Sequence, residues 1–382
     1  MTKAVRPEDF LELVRRAKRG RLKLYLGFAA GVGKTYRMLE EAHALRERGV
    51  DCVIAYVETH GRAEVGELVD GLEVIPRKRI DYRGVFVEEM DLDAALARRP
   101  DVAIVDEIAH TNAPGSRNRK RYQDVLELLA AGINVIGAFN VQHLESLNDI
   151  VERVTKVSVR ETIPDSFLKQ ADQIVNLDLA IEDLVERLKS GKIYARDKVP
   201  SALAHFFTTQ NLATLRELAL REVAESLERA GEAQAVAGRE AGQSAAHRRV
   251  MVCMSSYSPR ANMLLRRGSR LAGRLNTDWF VVYVETPGES PTMIDAEAQR
   301  HLLANIEKAR ELGAEVVRLK ARDPVAAIMD FARSHGVGQI IIGRSKQPWW
   351  RQIIGRSIPI RLVKEAIEFD LYIMALEDME ES

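Results

Sequence analysis

The stretch "GFAAGVGKTYRM", residues 27–38, follows the apolar run "LKLYL" and opens an amphipathic helical pattern. Gly31 and Gly33 allow a tight strand-to-helix turn its positive φ angles. Successive backbone N–H groups of such a turn, at a helix N-terminus, form a cradle for phosphate. Lys34 adds a point charge for the terminal phosphates and Thr35 a hydroxyl for magnesium. Residues Gly31, Val32, Gly33, Lys34, Thr35 and Tyr36 are therefore the candidate phosphate-binding set. Phe28 stands where the strict pattern has its first glycine, and Gly27, one place earlier, is expected to ease the turn out of the strand. A phosphate loop of this kind also needs an acid at the end of another buried strand, to hold magnesium through water. "DVAIVDE" supplies Asp106 for the metal, with Glu107 beside it as a candidate base or water-orienting group.

Working outward, short β-branched runs alternate with helical patterns. "LKLYLGF", "CVIAYVE", "VAIVDE", "INVIGAF" and "QIVNLD" read as strands, with "TYRMLEEAHALRERG" and "RYQDVLELLAAG" as helices between them. The alternation predicts an α/β domain with a parallel sheet covered by helices on both sides. The carboxyl ends of parallel strands share one edge. The polar stretches "ETHGR", "AHTNAPGSRNRKR" and "NVQHLESLND" should therefore converge on the phosphates. Within them His60, His110 and His143 suit loop bracing as well as chemistry, the run Arg117 to Arg121 suits an exposed basic face, and no histidine spacing resembles a zinc site.

At 382 residues the chain is long enough for two ordinary domains. Lys plus Arg and Asp plus Glu each number 56, so overall charge gives no bias toward nucleic acid or a membrane surface. The two cysteines, Cys52 and Cys253, lie in strand-like runs, which fits a reducing compartment; no apolar run is long enough to insert in a membrane, and the cytosol is the expected location. Residues 1–20 form a charged leader and 21–228 the phosphate-loop domain. Residues 229–247 hold Ala, Gly, Gln and Glu with almost no large apolar residue and read as a linker. From 248 to 378 a second alternation, "RVMVCMS", "DWFVVYVE", "AEVVRLK", "GQIIIG" and "LYIMAL" with four helical patterns between, predicts a small doubly wound domain.

The ordered set "AGVGKT", "VETHGR", "DLDAALARRP", "DEIAHTNAPGSR", "QHLESLND", "VRETIPDSF" and "NLATLRELALR" resembles the N-terminal cytoplasmic region of the KdpD potassium sensor kinases. In that family a universal-stress-protein-like domain follows, and residues 249–376 suit it. The resemblance implies ATP with Mg2+ bound through Gly31, Gly33, Lys34, Thr35 and Asp106. It implies two roles for the domain: an atypical serine kinase acting on the Kdp potassium pump, or a non-catalytic nucleotide sensor in two-component signalling. Lys34, with Glu58, Glu107 or His60 as base, would serve the first. The membrane helices, the phosphorylated-histidine box and the separate histidine-kinase ATP domain of a full sensor have no counterpart in these residues, so either a naturally short form, slightly favoured by Met1, or the cytoplasmic input half of a longer sensor is expected. Partners implied are Kdp pump subunits or a separate sensor kinase, and a homodimer is compatible with the sequence. For the second domain, the stress-protein ATP pattern keeps Gly343 and Ser357, next to Arg344 and Arg356, but has Lys346 and Arg356 in place of its inner glycines. The cyclic di-AMP pattern of several KdpD proteins keeps Ser256, Ser258 and, twenty residues on, a five-residue block ending at Tyr283, but Trp279, Phe280 and Val281 replace its Phe, Thr and Ala. A second-ligand site, for cyclic di-AMP or ATP, is accordingly expected at these residues, with a plain core strand as the alternative.

Overall fold

The computed structural model describes residues 19–59, 61–82, 84–237, 249–255, 261–275, 277–287, 295–343 and 358–374. The chain divides into two compact units, one comprising residues up to Ile163 with Phe167–Ser226, the other residues from Leu227 onward. Among the described residues, no helix is long and apolar enough to cross a membrane.

The first unit is built on β1 (Leu22–Gly27), β2 (Cys52–Tyr56), β3 (Glu73–Val74), β6 (Val102–Val105), β7 (Asn134–Asn140) and β8 (Gln173–Leu177). They form a six-stranded parallel sheet in the order β3-β2-β6-β7-β1-β8. Alternate residues of each strand enter opposite cores. Leu24, Leu26, Val105 and Val135 pack on the side of helix Arg121–Ala130, through Val125, Leu128 and Leu129. Tyr25, Ile54, Ile104 and Ile136 pack on the side of helix Lys34–Glu47, through Met38, Leu39 and Ala42. Both faces are thus covered, as the near-continuous apolar strands require.

Four features depart from the sequence reading. A short edge strand, β3, extends the sheet, and an antiparallel hairpin, β4 (Lys78–Tyr82) with β5 (Val85–Glu89), stands apart from it. Helix Thr209–Ala237 runs into the stretch assigned to a linker. A composition of Ala, Glu and Gln cannot build a core, but these residues are strong helix formers, so lack of apolar residues does not end a helix. Finally, Arg121 of the supposed exposed basic run is fully buried.

The second unit carries β9 (Arg249–Met254), β10 (Trp279–Glu285), β11 (Glu315–Lys320), β12 (Val337–Gly343) and β13 (Asp370–Met374) in the parallel order β11-β10-β9-β12-β13. Val252, Trp279 and Val281 face helices Ala261–Arg274 and Ala296–Glu311, while Met251, Phe280 and Val282 face helices Pro324–Ser334 and Ile358–Glu365.

Candidate functional site

At the carboxyl end of β1 the backbone turns through Gly31 (φ 91°) and Gly33 (φ 98°) into helix Lys34–Glu47. Gly27 has a sharper role than easing that turn. A Cβ there would lie 2.6 Å from Val32 Cγ2 and 3.1 Å from Lys34 Nζ, so only glycine leaves room for the lysine to fold back over the strand end. Phe28 is buried in the core, and its aromatic ring takes no part in the cradle.

The Lys34 ammonium is buried and, among the described residues, bonds to neutral groups only: it donates to Ala29 O at 3.2 Å and to Asn140 Oδ1 at the end of β7. Its pKa is brought down to about 8, by burial above all, with Asp106 opposing and Arg62 adding to the fall. Thr35 Oγ1 donates to Asp106 Oδ2 at 2.8 Å, and the Glu107 N–H donates to Asp106 Oδ1 at 2.8 Å. Burial raises the Asp106 pKa against those two bonds. The raised carboxyl and the depressed ammonium both reflect charged groups taken out of water at one strand edge. Among the described residues no group of three or more His, Cys, Asp or Glu gathers as a metal site. The pair Thr35 and Asp106 instead fits magnesium, which keeps several waters and shares phosphate oxygens.

These residues line a cavity of about 1270 Å³, ample for a nucleoside triphosphate. Residues 30–37 form its floor, and Asp106, Glu107, His110, Asn140 and His143 project from the neighbouring strand ends. Opposite lie Arg187, Lys192, Ile193, Tyr194 and Lys198, a wall that the sequence reading did not assign. Arg187 Nη1 donates to Gly31 O at 3.2 Å, and a Cβ on Gly31 would meet Ile193 Cδ1 at 2.2 Å. That approach depends on tertiary packing, for which "GKIYARDK" carries no local signal. Asn140 did carry one, as a polar residue closing an apolar strand.

The candidate acids separate. Glu107 lines the cavity at a positive φ of 51°, its side chain 37% exposed, with Arg121 Nη1 3.8 Å from its carboxylate. Glu58 does not line it; it pairs with Arg77 at 3.2 Å and accepts from the Tyr56 hydroxyl at 3.4 Å. His143 is held by Glu161 O at 2.8 Å, with its pKa lowered by burial. His110 bridges Glu89 (3.1 Å) and Glu161 (3.3 Å), whose hydrogen bonds, that of Glu161 foremost, raise its pKa to about 9. His60 lies outside the described residues, as do Ser256, Ser258, Arg344, Lys346, Arg356 and Ser357. Of the second-domain set, Gly343 ends β12, and Tyr283 is 3% exposed within a strand whose every residue is buried. "WFVVY" is core strand here.

A glycine turn, a buried lysine and a strand-end aspartate on a parallel sheet define an α/β domain of the P-loop class, joined in this chain to a doubly wound one. The chain belongs to the KdpD sensor protein family. A family model described as "Osmosensitive K+ channel His kinase sensor domain" matches residues 18–227, and that of the universal stress protein family matches residues 246–367. The chain is 44% identical over 375 residues to the sensor protein KdpD of Escherichia coli, covering 97% of this chain and 41% of that one. It is 44% identical over 361 residues to a putative sensor protein KdpD of Synechocystis, covering 94% of this chain and 95% of that one. It therefore spans about two fifths of the length of the former relative and nearly all of the latter.

Proposed function

We propose that the first unit binds ATP with Mg2+ and that the chain acts as a nucleotide-responsive regulatory protein of potassium sensing in the cytosol. The observation that carries this reading is the Lys34 ammonium, buried against neutral oxygens and lacking a carboxylate bond, beside the hydrogen-bonded Thr35 and Asp106. The N–H groups of residues 31–35 would take the phosphates, Lys34 the outer ones, and Thr35 with Asp106 the metal. A buried ammonium held in this way is costly to the empty protein and becomes favourable once a polyanion fills the site.

A second reading, phosphoryl transfer to a serine of the Kdp pump, is favoured by Glu107, whose partly exposed carboxylate faces the cavity next to the metal position. It would serve as base for the incoming hydroxyl. Labelled ATP, incubated with the protein and with pump subunits, tests both readings. Wild type is expected to bind ATP, and Lys34→Ala to bind it about 10- to 100-fold more weakly through loss of a charge-assisted contact. Label reaching a pump serine, and lost in Glu107→Gln, supports the kinase; tight binding with no transfer supports the sensor. No ATP binding by wild type defeats both. For the second unit, calorimetry with cyclic di-AMP on the full chain is the corresponding measurement, and absence of heat would remove that ligand.

A further inference from the structure

Arg62 lies six residues beyond the end of β2, as the residue preceding helix Ala63–Val69, and lines the same cavity as the phosphate loop. Its guanidinium is poorly satisfied. Nη2 donates to Ile193 O at a long 3.4 Å, Nε is buried without a partner, and among the described residues no carboxylate pairs with it. Its charge is felt on both sides, by the Lys34 ammonium and by the Tyr194 hydroxyl. Arg62 thus shares a cavity with Lys34 and makes that ammonium costlier to charge. A guanidinium with an unpartnered Nε, lining the cavity that also holds a buried ammonium, favours an anion there.

The topology says which part of the anion. β2 pairs with β6 so that Tyr56 lies opposite Val105, and the Asp106 N–H donates to Tyr56 O at 2.8 Å. The loop bearing Arg62 therefore leaves the sheet beside Asp106, on the metal side of the site. Thr35 and Asp106 would hold a metal there, and its charge would serve the outer phosphates of a nucleoside triphosphate.

We propose that Arg62 is a second cationic phosphate ligand of this cavity, contacting the terminal phosphate that a nucleoside triphosphate has and a diphosphate lacks. The inference rests on the reading of the cavity as a nucleotide site. A guanidinium fork has donors enough to keep Ile193 O while taking phosphate oxygens, so triphosphate binding tightens the wall of residues 191–198 over the loop.

The test compares a non-hydrolysable ATP analogue with ADP, both with Mg2+, by calorimetry on the full chain. Arg62→Ala is expected to lower affinity for the triphosphate about 10- to 100-fold while changing ADP affinity less than about threefold. Arg62→Lys, which keeps the charge without the fork, is expected to recover part of the preference. Equal losses for both nucleotides would mean that Arg62 only braces Ile193, and would overturn the inference, as would no loss for either. Failure of wild type to bind either nucleotide overturns the nucleotide reading itself and this inference with it, an outcome distinct from an unchanged preference.

Discussion

Two buried cations of the first unit, Lys34 and Arg121, stand in opposite electrostatic settings. Arg121 is fully buried; its Nη2 donates to Glu89 Oε2 at 3.1 Å, its Nη1 lies 3.8 Å from the Glu107 carboxylate, and its Cζ sits 3.6 Å over the Tyr56 ring. Lys34 bonds only to Ala29 O and Asn140. Burial alone pushes the Glu89 carboxyl up, but bonds from His110 and the Ala113 N–H outweigh it and hold the carboxyl below its ordinary range. A buried charge bonded to its counter-charge supports the fold, whereas one bonded to neutral groups alone costs it stability. Removing the two should therefore change stability in opposite directions.

The larger effect is expected at Arg121. Arg121→Met leaves Glu89 buried with one of its two cations gone, which costs about 3–5 kcal/mol when a buried pair is broken. His110, charged below about pH 9, still partners Glu89. The loss should sit at the low end near neutral pH and grow as pH rises past that value. Urea unfolding of the full chain, following the transition of the first unit from pH 7 to 9.5, measures it. An unfolding midpoint equal to wild type would break the contrast.

Lys34 carries the opposite sign. Its folded pKa is about 8 against an ordinary 10.5, so between those values the unfolded chain binds the extra proton and stability rises with pH. Below pH 8 both states are charged and the empty fold bears the whole penalty, on the order of 3 kcal/mol. Lys34→Met removes that penalty. The variant without nucleotide should be more stable than wild type at pH 7, and the difference should shrink toward zero as pH approaches 10.5. A variant less stable at pH 7 would show that the ammonium is compensated after all.

The same contrast explains what could be read from the residues. All ten β-branched runs became strands, most plainly the central ones such as Cys52–Tyr56 and Trp279–Glu285, where burial on both faces leaves an apolar signature that needs no partner to be recognised. The glycine-lysine-threonine turn at the end of β1 and the position of Asp106 at the end of β6 were legible because both lie in short local patterns of residue types. Arg121 was not. In "RNRKR" nothing distinguishes it from its exposed neighbour Arg117, and its counter-charge, Glu89, closes a hairpin that escaped notice because only Ile80, Val87 and Glu89 in it are not exposed. Missing the hairpin entailed missing the buried pair. Arg62 and the wall at Ile193 were hidden for a similar reason, since they meet across 131 residues of sequence.

The smallest expected effect tests whether the cavity, rather than proximity in the chain, selects the acids. Glu58 follows a strand of the same sheet and was as eligible as Glu107 on sequence grounds, yet its carboxylate is turned to Arg77 and Tyr56. Glu58→Gln should cost no more than a partly exposed ion pair, about 1 kcal/mol or less. Its nucleotide affinity should stay within about twofold of wild type, since no phosphate contact is removed. Glu107→Gln should also keep affinity, because Lys34, Thr35 and Asp106 remain, but any turnover should fall by about 100-fold or more if its carboxylate takes the proton. Paired binding and turnover assays on the two variants make the comparison. A loss of turnover in Glu58→Gln equal to that in Glu107→Gln would mean that Glu58 leaves Arg77 and turns into the cavity, where Arg62 already lies, when nucleotide binds.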